Sequence, residues 1–125
     1  MKKILIVEDN HSFITHVEEV VAENFPDCAV IVFSKATEAV NSINFANRDF
    51  DILLLDGDLG NGGSGDDVLK ILTPPQLLRT IVCSGDSSFI KKASTQGVKV
   101  FLDKGFRGIR ATMISAYTLE TLKKI

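Results

Sequence analysis

Apolar positions along this chain follow two periods. Short unbroken or alternating runs at residues 3–7, 29–33, 51–55, 80–83 and 98–102 read as strands. Residues 4–7 and 52–55 are continuously apolar, the pattern of a strand buried on both faces of a parallel sheet. Between the runs, apolar residues recur at helical spacing. Phe13, Ile14, Val17, Val20 and Val21 share one face of a helix over 11–24, which Pro26 ends. Ser34 is placed to cap a helix through Ala36, Ala39, Val40 and Ile43. Val68, Leu69, Ile71 and Leu72 mark a short helix broken by Pro74 and Pro75. Phe89, Ile90 and Ala93 mark a weaker helix over 87–95, with Gly97 as its stop, and a terminal helix is expected over about 109–124.

Strands that alternate with helices imply right-handed crossovers and a parallel sheet covered on both faces. The expected fold is α/β, a flavodoxin-like doubly wound (βα)5 unit with strand order 2-1-3-4-5, forming one domain over residues 1–125. In that order the first and third strands are neighbours, and ligands bind at the carboxyl ends of the strands. Both strands run into acid there: the first into Glu8 and Asp9, the third into Asp56. Adjacent carboxylates repel one another unless a cation offsets their charge. Oxygen ligands beside a glycine-rich loop suit a hard ion, Mg²⁺ first, which keeps waters and leaves room for a phosphate oxygen. A carboxylate beside such an ion is a competent nucleophile toward phosphorus. The fourth and fifth strands bring Ser84 and Lys104 to the same edge, a hydroxyl and an ammonium suited to a phosphoryl group.

Composition narrows the picture by exclusion. The net charge of −2 and the scattered basic residues give no support to nucleic-acid or membrane-surface binding. A membrane span needs roughly 18 apolar residues in a row, and no run approaches that. Cys28 and Cys83 lie in apolar segments outside any Cys-x-x-Cys pair and read as buried free thiols of a reducing, cytoplasmic compartment. His11 and His16 are poor candidates for a metal in so oxygen-rich a site, and His16 is expected to face solvent. The run from Gly60 to Gly65 matches G-x-G-x-x-G formally, but two aspartates precede it and would repel a pyrophosphate.

Taken in order along the chain, Glu8-Asp9, Asp56, Ser84, Phe101 and Lys104 resemble the marks of a response regulator receiver domain of two-component systems, and the resemblance spans essentially the whole chain. It implies that Glu8 and Asp9 bind Mg²⁺ and that Asp56 accepts a phosphoryl group from a histidine kinase or phosphotransfer protein. The backbone carbonyl of Asp58 would be a further metal ligand. Ser84 and Lys104 would hold the phosphoryl group, and Phe101 would turn inward as the aromatic switch. The face made by the helix at 87–95, the fifth strand and the terminal helix would then change for a downstream protein or output domain. Such a chain is a signalling switch with self-phosphorylation and self-dephosphorylation, not an enzyme. It could stand alone or continue into a longer protein.

Departures from the family pattern are Gly105 in place of the usual proline, Gly60 where proline is common, and a loop after Asp56 one residue longer. Asp58 and Asp86 both flank the phosphoryl position. Two other readings are carried alongside. Asp56-Gly57-Asp58 also resembles the nucleophile motif of haloacid-dehalogenase-like phosphohydrolases, although the acidic pair then precedes the nucleophile instead of following the lysine. A degenerate receiver that binds partners without phosphorylation is the other.

Overall fold

The computed structural model describes residues 2–45, 49–103, 120–121 and 123–124. Five parallel strands form one sheet in the order β2-β1-β3-β4-β5. They are β1 (Lys3–Val7), β2 (Ala29–Phe33), β3 (Ile52–Asp56), β4 (Thr80–Ser84) and β5 (Val100–Asp103). The helices are α1 (His11–Asn24), α2 (Ala36–Phe45), α3 (Gly65–Leu69), α4 (Pro74–Leu78) and α5 (Ser87–Gln96). The expected fold and strand order are those observed.

Side chains alternate across each strand, so the sheet divides the core in two. Ile4, Ile6, Ile52, Leu54, Ile81 and Cys83 meet Phe13, Ile14, Val17 and Val21 of α1 on one face. Leu5, Val7, Leu53, Leu55 and Val82 meet α2, α3, α4 and α5 on the other, through residues such as Ala39, Val68, Leu77 and Phe89. The central strands β1, β3 and β4 are almost wholly buried, whereas β2, at one edge, is only half-buried.

Local departures from the sequence reading have local causes. Strands β3 and β4 each run one residue further than expected, because the ladder continues through the pairs Asp56–Cys83 and Ser84–Asp103. Strand β5 starts at Val100 instead of residue 98, since the Val98 N–H is taken by the Ala93 carbonyl as α5 ends (3.1 Å). Gly97, at φ +124, provides the left-handed stop. Lys35, not Ser34, precedes the first residue of α2, and its carbonyl accepts from Ala39 N–H (3.3 Å).

The prolines at 74 and 75 do not break the preceding helix, which already ends at Leu69, leaving Ile71 and Leu72 outside it; they open α4. A proline in the first turn sacrifices only an N–H that has no helical partner. Thr73 and Gln76 complete a capping box, Gln76 N–H donating to Thr73 Oγ1 (3.4 Å) and Thr73 N–H to Gln76 Oε1 (2.9 Å). His16 is half-buried on α1 instead of facing solvent, and Cys28 is half-buried while Cys83 is buried. Burial, reinforced by Asp51 and opposed by Lys2, pushes the Cys28 thiol above its ordinary pKa. No helix among the described residues is long and apolar enough to cross a membrane. Most of the expected terminal helix lies outside the described residues; Glu120, Thr121, Lys123 and Lys124 are helical.

Candidate functional site

Where β1 and β3 end side by side, three carboxylates meet. One oxygen each from Glu8, Asp9 and Asp56 lies within 4.8 Å of the others. The register Val7–Leu55 brings this about, because it makes Glu8 and Asp56 the next residues of neighbouring strands. Glu8 is 2 % exposed and Asp56 9 %, while Asp9 reaches into solvent. Backbone amides orient two of the three. Asn10 N–H donates to Glu8 Oε1 (3.2 Å), and Asp58 N–H donates to Asp56 Oδ1 (3.3 Å). Asn10 in turn caps α1, its Oδ1 accepting from Phe13 N–H (3.1 Å). The turn that aims Glu8 is therefore fixed by the start of the first helix.

Carboxylate oxygens in this number, two of them withdrawn from water, fit a hard divalent cation; the set contains no sulfur or nitrogen ligand. Neither His11 nor His16 belongs to it. Asp58 points its own carboxylate elsewhere: Oδ1 accepts from Gly60 N–H (2.9 Å).

Ser84 ends β4, 3 % exposed, with its Oγ accepting from Asp86 N–H (3.0 Å). Phe101 lies opposite Val82 in the register and is half-buried against the larger core cluster. Ser84 and Val82 are two apart on β4, so Ser84 and Phe101 share one face of the sheet. Lys104 lies outside the described residues. Asp86, read from sequence only as a flanking charge, caps α5, its Oδ1 accepting from Ser88 N–H (2.9 Å) and Phe89 N–H (3.4 Å).

The loop after Asp56 is folded tightly. Leu59 is buried, and Asp58 and Ser64 form a short antiparallel bridge. Gly60, at φ +58, takes a left-handed conformation, and a methyl there would sit 3.6 Å from Asp9 Oδ2. Gly60 therefore lies beside the acidic crevice. Sequence reading missed Asn10 and Phe89. An Asn three residues ahead of the first apolar residue of a helical stripe is a legible cap signal; Phe89 reads from sequence as ordinary core.

A family model described as the response regulator receiver domain matches residues 4–114. None of the curated proteins matches the chain in sequence. Among solved structures, the phosphorylated cyanobacterial phytochrome response regulator RcpA is similar, with a TM-score of 0.80 at 21 % identity over 99 % of this chain and 96 % of its own. The Mn(2+)-bound form of response regulator Rcp1 gives 0.77 at 21 % identity, covering 93 % of this chain and 91 % of its own. A CheY-like receiver domain protein from Methanospirillum hungatei JF-1 gives 0.74 at 21 % identity, covering 99 % and 92 %. At such identities the structural likeness speaks for the fold, and the family model, spanning well over half of the chain, for the lineage. The chain belongs to the response regulator receiver domain family of two-component signalling.

Proposed function

We propose that the chain is a phosphoaccepting switch, with Asp56 as the acceptor. The observation that carries this reading is the convergence of Glu8, Asp9 and Asp56 within 4.8 Å at the carboxyl edge of the sheet. The donor is a phosphohistidine of a histidine kinase or phosphotransfer protein. An Asp56 carboxylate oxygen attacks phosphorus in line, the bond from phosphorus to the imidazole nitrogen breaks, and that nitrogen leaves with the electron pair. Hydrolysis of the resulting acyl phosphate by water resets the switch.

Glu8, Asp9, Asp56 and the Asp58 backbone carbonyl would hold Mg²⁺, which when bound neutralises charge developing on the phosphoryl oxygens. Glu8 and Asp56 are both buried, and the Asp58 amide orients the Asp56 carboxylate. Ser84 and Lys104 receive the phosphoryl group by hydrogen bond and charge. Ser84 Oγ accepts from the Asp86 N–H, which leaves the hydroxyl hydrogen to donate to the phosphoryl group. Phe101, on the same face, then repacks, and the face containing α5 and β5 is presented to a downstream protein or output domain. The site works as a cytoplasmic signalling switch.

Incubation with acetyl phosphate and Mg²⁺, followed by intact mass measurement, tests the reading. The wild-type chain should gain one phosphoryl group, labile to hydroxylamine. Asp56→Asn should gain none, and chelation of the metal should abolish the gain. A folded wild-type chain that shows neither an acyl phosphate nor beryllofluoride binding in Mg²⁺ would falsify the proposal.

A further inference from the structure

One aromatic ring ties the start of α5 to both ends of the loop that follows Asp56. Phe89, 4 % exposed, lies against Gly57 and Gly65. A methyl on Gly57 would come within 2.5 Å of Phe89 Cδ2. A methyl on Gly65 would come within 2.7 Å of Phe89 Cζ and 2.5 Å of the Asp56 carbonyl oxygen. The two glycines are themselves joined, Gly65 N–H donating to the Gly57 carbonyl (3.1 Å). Ser64 Oγ donates to that same carbonyl (3.4 Å). The Asp56 main chain, both glycines and the ring thus form a stack without room for one added carbon.

The other end of Phe89 is equally constrained. Only Gly85 and Asp86 separate β4 from α5, so little slack lies between buried Ser84 and the helix. The Asp86 side chain accepts from the amide of Phe89 itself, and the Asp86 amide donates to Ser84 Oγ. These hydrogen bonds link Ser84, through Asp86, to the residue that carries the ring. Close-packed contacts of this kind shift between discrete arrangements instead of deforming gradually.

We propose that Phe89 is a positioning residue whose ring, wedged against Gly57 and Gly65, couples the placement of α5 to the state of Asp56. The coupling is reciprocal: whatever repositions α5 also changes how well Asp56 and its loop accept a phosphoryl group. This inference rests on the phosphoacceptor reading of Asp56, and the test separates the two.

Beryllofluoride with Mg²⁺ is titrated into the isotopically labelled full chain while amide resonances are followed, in the wild type, Phe89→Leu, Phe89→Ala, Gly57→Ala and the Gly57→Ala/Phe89→Ala pair. Leucine keeps apolar volume but lacks the flat ring. In Phe89→Leu the amides of residues 58–60 should still respond to the ligand, while the response of α5 is largely lost. Affinity should fall roughly five-fold or more, the scale of an ordinary coupling between sites. Gly57→Ala should weaken binding in the presence of the ring and weaken it much less once Phe89→Ala has made space. A purely structural role predicts additive costs and an α5 response of wild-type size; either result overturns the inference. If Phe89→Ala does not fold, the Phe89→Leu response alone decides. A wild-type chain that does not bind beryllofluoride overturns the phosphoacceptor reading, and this inference falls with it; binding with an unaltered α5 response in Phe89→Leu overturns the inference alone.

Discussion

Two strand-to-helix connections at the site begin alike and diverge. Asp58 and Asp86 each lie two residues past a strand-end side chain, Asp56 and Ser84 respectively. Each donates its amide back to that side chain, to Asp56 Oδ1 at 3.3 Å and to Ser84 Oγ at 3.0 Å. Each then accepts, on Oδ1, the amide two residues ahead, from Gly60 and from Ser88, both at 2.9 Å. After that the first chain runs through a 3₁₀ turn (Gly60–Gly62) before α3, whereas the second is already in α5. The same local hydrogen bonding thus anchors a loop in one case and a helix in the other. Ser84 is thus linked to its helix directly, through the Asp86 amide and cap, whereas Asp56 reaches the same helix only through the packed loop and the ring of Phe89.

The largest break in this comparison comes from Gly65, where the long connection closes on the ring carried by the short one. Gly65→Ala places a methyl 2.5 Å from a backbone oxygen, which cannot rotate away. Overpacking typically costs about 1–3 kcal/mol, and the upper part of that range is expected here in spite of alanine's better helix propensity. Urea unfolding of the variant measures it. A loss below about 0.5 kcal/mol would mean that the loop and α5 are not tightly packed.

Next in size is the contrast between the two aspartates. Asp86→Ala removes the cap of a ten-residue helix and should cost about 1 kcal/mol, within the usual 0.5–2 kcal/mol of such losses. Asp58→Ala removes an acceptor from an exposed turn and should stay within about 0.5 kcal/mol. Paired denaturation curves decide this; equal losses would erase the distinction between loop and helix. Neither carboxylate acts simply as a free charge at the rim, as a reading by position alone would have it.

How far these features were legible in advance depended on their range. Residues 4–7 and 52–55 announce buried parallel strands because a short, continuously apolar run suits a strand covered on both faces, and five strand–helix units in a chain of this length match the flavodoxin-like order that is observed. Glu8, Asp9 and Asp56 converge because that order makes β1 and β3 neighbours, an inference from topology that needs no side-chain detail. The start of α4 was missed because Pro74 and Pro75 look the same whether they end one helix or open another; the Thr73–Gln76 box distinguishes the two. The role of Phe89 was not legible, since contact with Gly57 and Gly65 is a matter of tertiary approach. Gly57 and Gly65 are required by crowding, which composition alone does not reveal.

A similarly modest effect is the most discriminating about what joins the two connections. Lys92 of α5 reaches Asp66 at the start of α3, Nζ to Oδ2 at 3.2 Å. This pair spans the same two elements as the Phe89 contact, so charge competes with packing as the source of their association. The Lys92 side chain is 62 % exposed. Exposed pairs contribute about 0.2–1 kcal/mol, because solvent screens the attraction and both side chains lose freedom. Lys92→Ala should therefore lower stability by no more than that. The difference between variant and wild type should shrink further at about 1 M salt, where screening acts within a few ångströms. Loss of the α5 response to beryllofluoride in Lys92→Ala, with Phe89 intact, would instead assign the linkage to charge. With that response preserved, the connection between the helices lies in the packed ring, which salt does not weaken.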